Sequence, residues 1–335
     1  MTTFMGFLLP HDGYGYAAIN IAGAMRGLDP GVRIVDMRGK AEAFGQPNER
    51  SWRVDDRTVA MCVPPWLPAI QAGALSILTM CETTRLSAGW AETINRHAQE
   101  CIVPSQFCAA VFMACGVRTP ITVAPWGVNS NDFWLIDRRG HKPPYTFVWS
   151  GTPDYRKGWD VAYRAFYEAF GWREDVKLIL HLRGEMPFPM KFRDPNVEVR
   201  IGILDRPAWR KLLAEADCFV FPSRGEGWGM PPREAAATGL PVIATRWSGL
   251  AEDIDEWAIP IEVAGLSPAR YGWFEDVGEW AEPDRKELAD AMLWCAANPA
   301  KAAEIGARAA AWMTRNGSWA GTAARILTRI ARMDG

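Results

Sequence analysis

The sequence predicts a doubly wound α/β protein built as two parallel-sheet domains. Three observations carry this. Apolar runs of strand length alternate with stretches of helical composition, glycine- or proline-rich turns follow the apolar runs, and a segment from Asp137 to Tyr145, DRRGHKPPY, fits neither pattern and reads as a linker. The chain has 335 residues, 49% hydrophobic and 23% charged. That supplies enough apolar surface for two cores and argues against disorder.

In the first half, Phe4 to Leu9 reads as a strand, His11 to Gly15 as a turn, and Ala17 to Arg26 as a helix. The two glycines of that turn, Gly13 and Gly15, either cradle a phosphate or an acceptor or simply make a tight connection. Val32 to Asp36 and Val59 to Val63 are further strands. Leu75 to Cys81 is another, delivering CETTRLSAGW to the same strand-end edge. Glu82 and Thr83 open that loop; Glu82 is either a capping or salt-bridged residue or a group that orients a sugar or an acceptor. A helix over Ala91 to Gln99 contains His97, Cys101 to Val103 is a strand, Gln106 to Cys115 is an apolar helix ended by Gly116, and Ile121 to Val123 is a short strand.

In the second half, Phe147 to Trp149 begins a new sheet, with Gly151 at its end. Arg156-Lys157-Gly158 then enters a helix running to about Phe170. Two cations beside a glycine at a helix start suit a diphosphate, through charge-assisted hydrogen bonds and the positive helix end together. Lys177 to Leu182 is a central strand, and the loop HLRGEMPFP after it, with one histidine and one glutamate, does not make a metal cage. Val197 to Ile203 is a strand ending in Gly202 and Ile203, and Trp209 to Ala216 a helix. Cys218 to Phe221 is a buried strand, followed by a glycine-rich turn, a helix over Arg233 to Thr238 closed by Gly239, and the next strand, Val242 to Ala244. Further helices cover Glu287 to Ala297 and most of Ala300 to Met333. In open parallel sheets ligands collect at the carboxyl ends of strands. That places Glu226, in the loop, and Glu234, in the first helical turn, at a small-molecule site.

The segment Phe219 to Glu252, with EGWGMPPRE followed by AAATGLPVIAT and the turn Ser248-Gly249, resembles the signature of the retaining nucleotide-sugar glycosyltransferases of family four, the glycosyl transferases group 1. Its two glutamates are separated by seven residues. The resemblance covers Phe147 to Pro283 well and Met1 to Asn129 by general layout; Asn129 stands where relatives commonly have an acid. It implies the GT-B fold, two Rossmann-like domains facing a central cleft: residues 1–140 on the acceptor side, residues 141–314 binding the donor, and a terminal helix of about 315–335 returning to the first domain. It implies transfer of a hexose from a UDP-sugar, or a GDP-sugar, to a hydroxyl of a glycan, protein or small molecule, with anomeric configuration retained and no metal or other cofactor. Arg156, Lys157 and Glu226 are then the catalytic candidates. Gly13, Gly15, Gly151, Gly202, Ile203, Gly227, Trp228, Gly229, Met230 and Glu234 bind the donor. Glu82, Thr83, Ser248 and Gly249 form a second rank, Glu82 lying where many relatives have a histidine near the donor sugar.

Bulk properties narrow the alternatives. No apolar run is long enough to span a bilayer and the start lacks a signal-peptide layout, so a cytoplasmic location is expected. The seven cysteines show no metal-ligand spacing and read as reduced core residues. Residues 1–140 carry 12 Lys+Arg and 12 Asp+Glu, and the whole chain a net charge of -2. That argues against a duplex-binding surface, and so against a transferase acting on modified DNA bases, and leaves only a weak membrane reading. A catalytically inactive nucleotide-sugar-binding subunit stays as an alternative. A nicotinamide dehydrogenase lacks its G-x-G-x-x-G fingerprint here.

Overall fold

The computed structural model describes residues 1–40, 52–138, 143–184, 194–270 and 276–332. Part of the expected linker and most of the HLRGEMPFP loop lie outside the described residues. Two compact units share the chain: Met1–Gly127 with Pro268–Glu279 and Ser318–Gly335, and Val128–Ser267 with Trp280–Gly317. The division therefore falls after Gly127, where the sequence pointed to about 140.

The first unit holds six parallel strands, β1 (Thr2–Gly6), β2 (Arg33–Asp36), β3 (Trp52–Met61), β4 (Ile70–Leu78), β5 (Glu100–Val103) and β6 (Ile121–Val123), in the order β2-β1-β3-β4-β5-β6. Its helices are α1 (Gly13–Leu28), α2 (Trp90–His97) and α3 (Gln106–Ala114). Asp12 caps α1 by accepting the Gly15 amide at 2.7 Å, and Ser105 caps α3 through the Cys108 amide. Strands β3 and β4 start before their apolar runs, because Arg53, Arg57 and Gln71 extend the pairing with polar side chains.

The second unit has its own sheet: β7 (Tyr145–Gly151), β8 (Val176–Leu182), β9 (Val197–Ile201), β10 (Cys218–Phe221), β11 (Val242–Thr245) and β12 (Ile259–Ile261), in the order β12-β11-β10-β7-β8-β9. Strands β7, β8 and β10 read as apolar runs because helices cover both faces of a parallel sheet. These helices are α4 (Trp159–Phe170), α5 (Arg206–Glu215), α6 (Met230–Ala237), α7 (Ile254–Trp257), α8 (Arg285–Ala297) and α9 (Pro299–Asn316). Helix α6 starts at Met230 rather than Arg233: Pro231 and Pro232 lack amides that the first turn would leave unpaired anyway. Glu234 consequently sits one turn inside the helix. Strands β13 (Val263–Pro268) and β14 (Glu279–Pro283) form a two-stranded sheet that the sequence did not announce.

The last helix, α10 (Trp319–Ala331), belongs to the first unit and packs on α1. Trp319, Thr322, Ala323, Ile326 and Ile330 are its buried residues, spaced to make one helical face.

Candidate functional site

Strand order reverses between β7 and β10, which are direct neighbours with Phe147 opposite Cys218 and Val148 opposite Phe219. This is the topological switch point, where the loops leaving two adjacent strands diverge to opposite faces and leave a crevice. The loop after β7 forms a short 3₁₀ turn, Tyr155–Lys157, capped by Asp154 and tied to the strand where the Trp149 indole donates to the Lys157 carbonyl at 3.0 Å. Gly158 follows with φ +71°, and a Cβ there would lie 1.9 Å from the Pro222 carbonyl oxygen. Only glycine lets the two loops approach so closely. They are then stitched together: the Arg224 amide donates to the Arg156 carbonyl at 2.7 Å, and the Ser223 hydroxyl oxygen lies 3.2 Å from the same carbonyl.

That stitching delivers three charged side chains to one point. Glu226 Oε1 accepts from Lys157 Nζ at 2.6 Å, from Ser223 Oγ at 2.8 Å and from Arg156 Nη1 at 3.1 Å. Arg156 also donates to the Gly225 carbonyl. All three charged groups are largely shielded, with side-chain exposures of 10%, 15% and 6% for Arg156, Lys157 and Glu226. Burial by itself would raise the Glu226 pKa, but the charges of Lys157 and Arg156 and the hydrogen bonds from Lys157 and Ser223 outweigh it, and the net shift is downward. Two cations thus face one carboxylate, all three shielded from water.

Arg224, beside the cluster, is 2% exposed. It pairs bidentately with Asp160 at 2.8 and 3.0 Å, donates to Glu282 and to the Tyr155 carbonyl, and stacks on the Tyr155 ring. Through it the Arg156–Lys157 turn is held to α4 and to β14.

Glu234 is buried on the neighbouring side, accepting from the Trp209 indole at 2.9 Å and from Arg206 Nη1 at 3.2 Å. Burial raises its pKa, against the pull of Arg206 and Trp209. The same Trp209 stacks on His181, whose Nε2 reaches the Gly202 carbonyl at 3.0 Å and whose Nδ1 lies 2.8 Å from Ser150 Oγ. A carbonyl only accepts, so Nε2 carries the proton and Nδ1 accepts from Ser150. Ile203, the residue after Gly202, is 61% exposed. The structure thus links Gly202 to Glu234 through His181 and Trp209, two residues the sequence did not single out.

The second turn closes against the first. Ser248, at φ +54°, accepts the Glu226 amide on its hydroxyl at 2.9 Å, and the Gly249 amide donates to the Glu226 carbonyl at 2.8 Å. A Cβ on Gly249 would sit 2.2 Å from the Gly227 carbonyl oxygen. Gly227, Trp228, Gly229 and Met230 run between this turn and the start of α6, and Gly151 ends β7. The remaining candidates belong to the first unit. Gly13 and Gly15 form the first turn of α1, and the Gly15 amide is taken by Asp12. Thr83 is buried, donating to the Arg85 carbonyl, and Glu82 is half-buried.

Sequence reasoning missed Arg224, Asp160, Arg206, Trp209, His181 and Arg233. One signal was available for Arg233: a cation near a helix N-terminus opposes the helix dipole and needs a local reason.

Two parallel-sheet α/β domains, the second with its charged loops gathered at the switch point, have the architecture of the GT-B class. Residues 144–298 match the family described as glycosyl transferases group 1. That match takes in a little under half of the chain, nearly all of it in the second unit. It is similar to the lipopolysaccharide core biosynthesis mannosyltransferase LpsB of Rhizobium meliloti, 27% identical over 68% of either chain. It is 29% identical to a D-inositol 3-phosphate glycosyltransferase of Pseudarthrobacter chlorophenolicus over 62% of this chain, the match spanning 49% of that relative. Among solved structures, Anabaena Alr3699/HepE in complex with UDP and glucose superposes with a TM-score of 0.72 at 16% identity, covering 99% of this chain and all of that one. The protein is a glycosyltransferase.

Proposed function

We propose that the protein is a retaining hexosyltransferase that uses a nucleoside diphosphate sugar, a UDP-sugar in preference to a GDP-sugar, and a hydroxyl acceptor on a glycan, a protein or a small molecule. The observation that carries this reading is the convergence of Arg156 and Lys157 on Glu226 at the switch point. Bound there, a diphosphate lies against these two cations. As the bond between the anomeric carbon and the leaving phosphate oxygen breaks, the two cations meet the charge that develops on the diphosphate, so that no metal is called for. The acceptor oxygen bonds to the same face of the anomeric carbon, and its proton passes to the departing phosphate oxygen.

In this reading Glu234 accepts the ribose hydroxyls, Gly202 and Ile203 border the base, and Glu226 with the amides of Gly227 to Met230 holds the sugar hydroxyls. Gly151, Ser248 and Gly249 shape the walls. Relatives lend support to a UDP donor, since the Anabaena neighbour was crystallised with UDP and glucose. Nothing in this reading calls for nucleic acid. No helix among the described residues is long and apolar enough to cross a membrane. A cytoplasmic location is part of the proposal, and the seven cysteines stand as free thiols, as a reducing compartment leaves them.

The test is turnover of UDP-glucose and GDP-mannose followed by proton NMR, with a generic hydroxyl acceptor or with water. We expect the α-anomer from an α-linked donor. Arg156→Ala should lower kcat about 10²-fold. An inverted product, or an Arg156→Ala enzyme as fast as wild type, overturns the assignment.

A further inference from the structure

Arg233 sits in the first turn of α6, where its charge faces the positive end of the helix, and it is 2% exposed. Burial draws its pKa down to about 9, so the side chain is held in place at an energetic cost that an apolar residue would not incur. Its guanidinium lies between two indoles, 3.9 Å from the Trp228 ring centroid and 4.6 Å from that of Trp257. One Nη donates to the carbonyls of Trp228 and, at 3.3 Å, Gly229; the other donates to those of Gly249 at 2.9 Å and Glu252 at 3.3 Å. The four acceptors belong to two different turns: the one that carries Glu226 and Gly227 to Met230, and the one that runs from Ser248 to Glu252.

These turns also touch directly, through the two bonds that join Glu226 to Ser248 and Gly249. That contact lies on the Glu226 side, and Arg233 ties the other side. A planar fork with donors on two edges and faces free for stacking meets this geometry, whereas an ammonium is a point charge that satisfies one turn at a time. We infer that Arg233 is a positioning residue of the donor site: it fixes the spacing of the two turns, and with it the Glu226 carboxylate and the amides of Gly227 to Met230, without touching the donor itself. The inference rests on the donor reading of this site given above.

The experiment compares wild type, Arg233→Lys and Arg233→Ala by two readouts. The first, hydrogen exchange on peptides spanning residues 226–230 and 247–252, needs no ligand. The second is UDP affinity by calorimetry. We expect both variants to lose protection in these peptides while β7 and β10 keep theirs, and the UDP Kd to rise about 10-fold or more. Methylguanidinium should restore both readouts in Arg233→Ala by occupying the slot between the indoles, and methylammonium should not. Unchanged protection of the two turns in Arg233→Lys overturns the inference whatever happens to UDP. So does a uniform loss of protection across the whole unit that methylguanidinium leaves uncorrected. If wild type itself binds no nucleoside diphosphate, the donor reading falls, and hydrogen exchange still decides whether Arg233 ties the turns.

Discussion

At the scale of single residues, the site is a matter of charge held in low dielectric. Glu226 is ionised and doubly paired, and its folded-state pKa is depressed. Its contribution to stability is therefore full above the ordinary carboxylate range and disappears as pH falls through the folded-state value. Removing the charge strands two buried cations, so Glu226→Gln should cost roughly 3 kcal/mol near neutral pH. That difference from wild type should shrink steadily on acidification, a trend that urea denaturation across the acid limb would measure. Glu234 shifts the other way: burial raises its pKa, against the pull of Arg206 and the Trp209 indole, which both donate to it. A carboxyl group with two acceptor oxygens suits a ligand with hydroxyls to donate. Glu226, Arg156 and Lys157 were legible as candidates, because a carboxylate and cations beside glycines are recognisable by type, but their pairing with one another was not. The roles of Trp209 and His181 were not, since an indole and an imidazole in apolar runs look like core until their partners are seen.

At the scale of elements, the crevice depends on how closely two loops can run. Gly158 combines a left-handed φ with contact against the Pro222 carbonyl. Gly158→Ala should therefore destabilise the protein by about 3 kcal/mol or more, read by urea denaturation, and should displace Arg156 and Lys157 in the same stroke. The strands that define the second sheet were legible because a parallel strand covered on both faces is an uninterrupted apolar run, as Cys218–Phe221 is. Strand β3 was only half legible, since its first residues alternate Trp52, Arg53 and Val54 before the apolar stretch begins. The start of α6 was misplaced because prolines read as breakers, although a first turn accommodates them. Strands β13 and β14 carry no periodic apolar signal, and their pairing follows from the tertiary structure alone.

At the scale of the molecule, each unit has its own parallel sheet and core, and the chain returns to the first unit twice, over Pro268–Glu279 and again from Ser318. The face of α10 that carries Trp319, Ile326 and Ile330 covers α1. Arg329 reaches the buried Glu100 at 2.8 Å from the same helix. Deleting residues 318–335 should uncover that face and lower Tm by more than about 5 °C, as scanning calorimetry would show. The fold class was legible in the alternation of strands and helices, and the donor side in one dense motif; the acceptor was not, because no comparable motif marks the first unit. The central claim is that the crevice between β7 and β10 takes a nucleoside diphosphate. The most direct test is the thermal shift of wild type, Lys157→Ala and Glu234→Ala with UDP, GDP, ADP and CDP, since a ligand bound to the folded state raises its apparent stability. Wild type should show a rise with UDP and a smaller one with GDP, and each variant should lose both. No rise with any nucleoside diphosphate, or a rise that both variants keep, would contradict it.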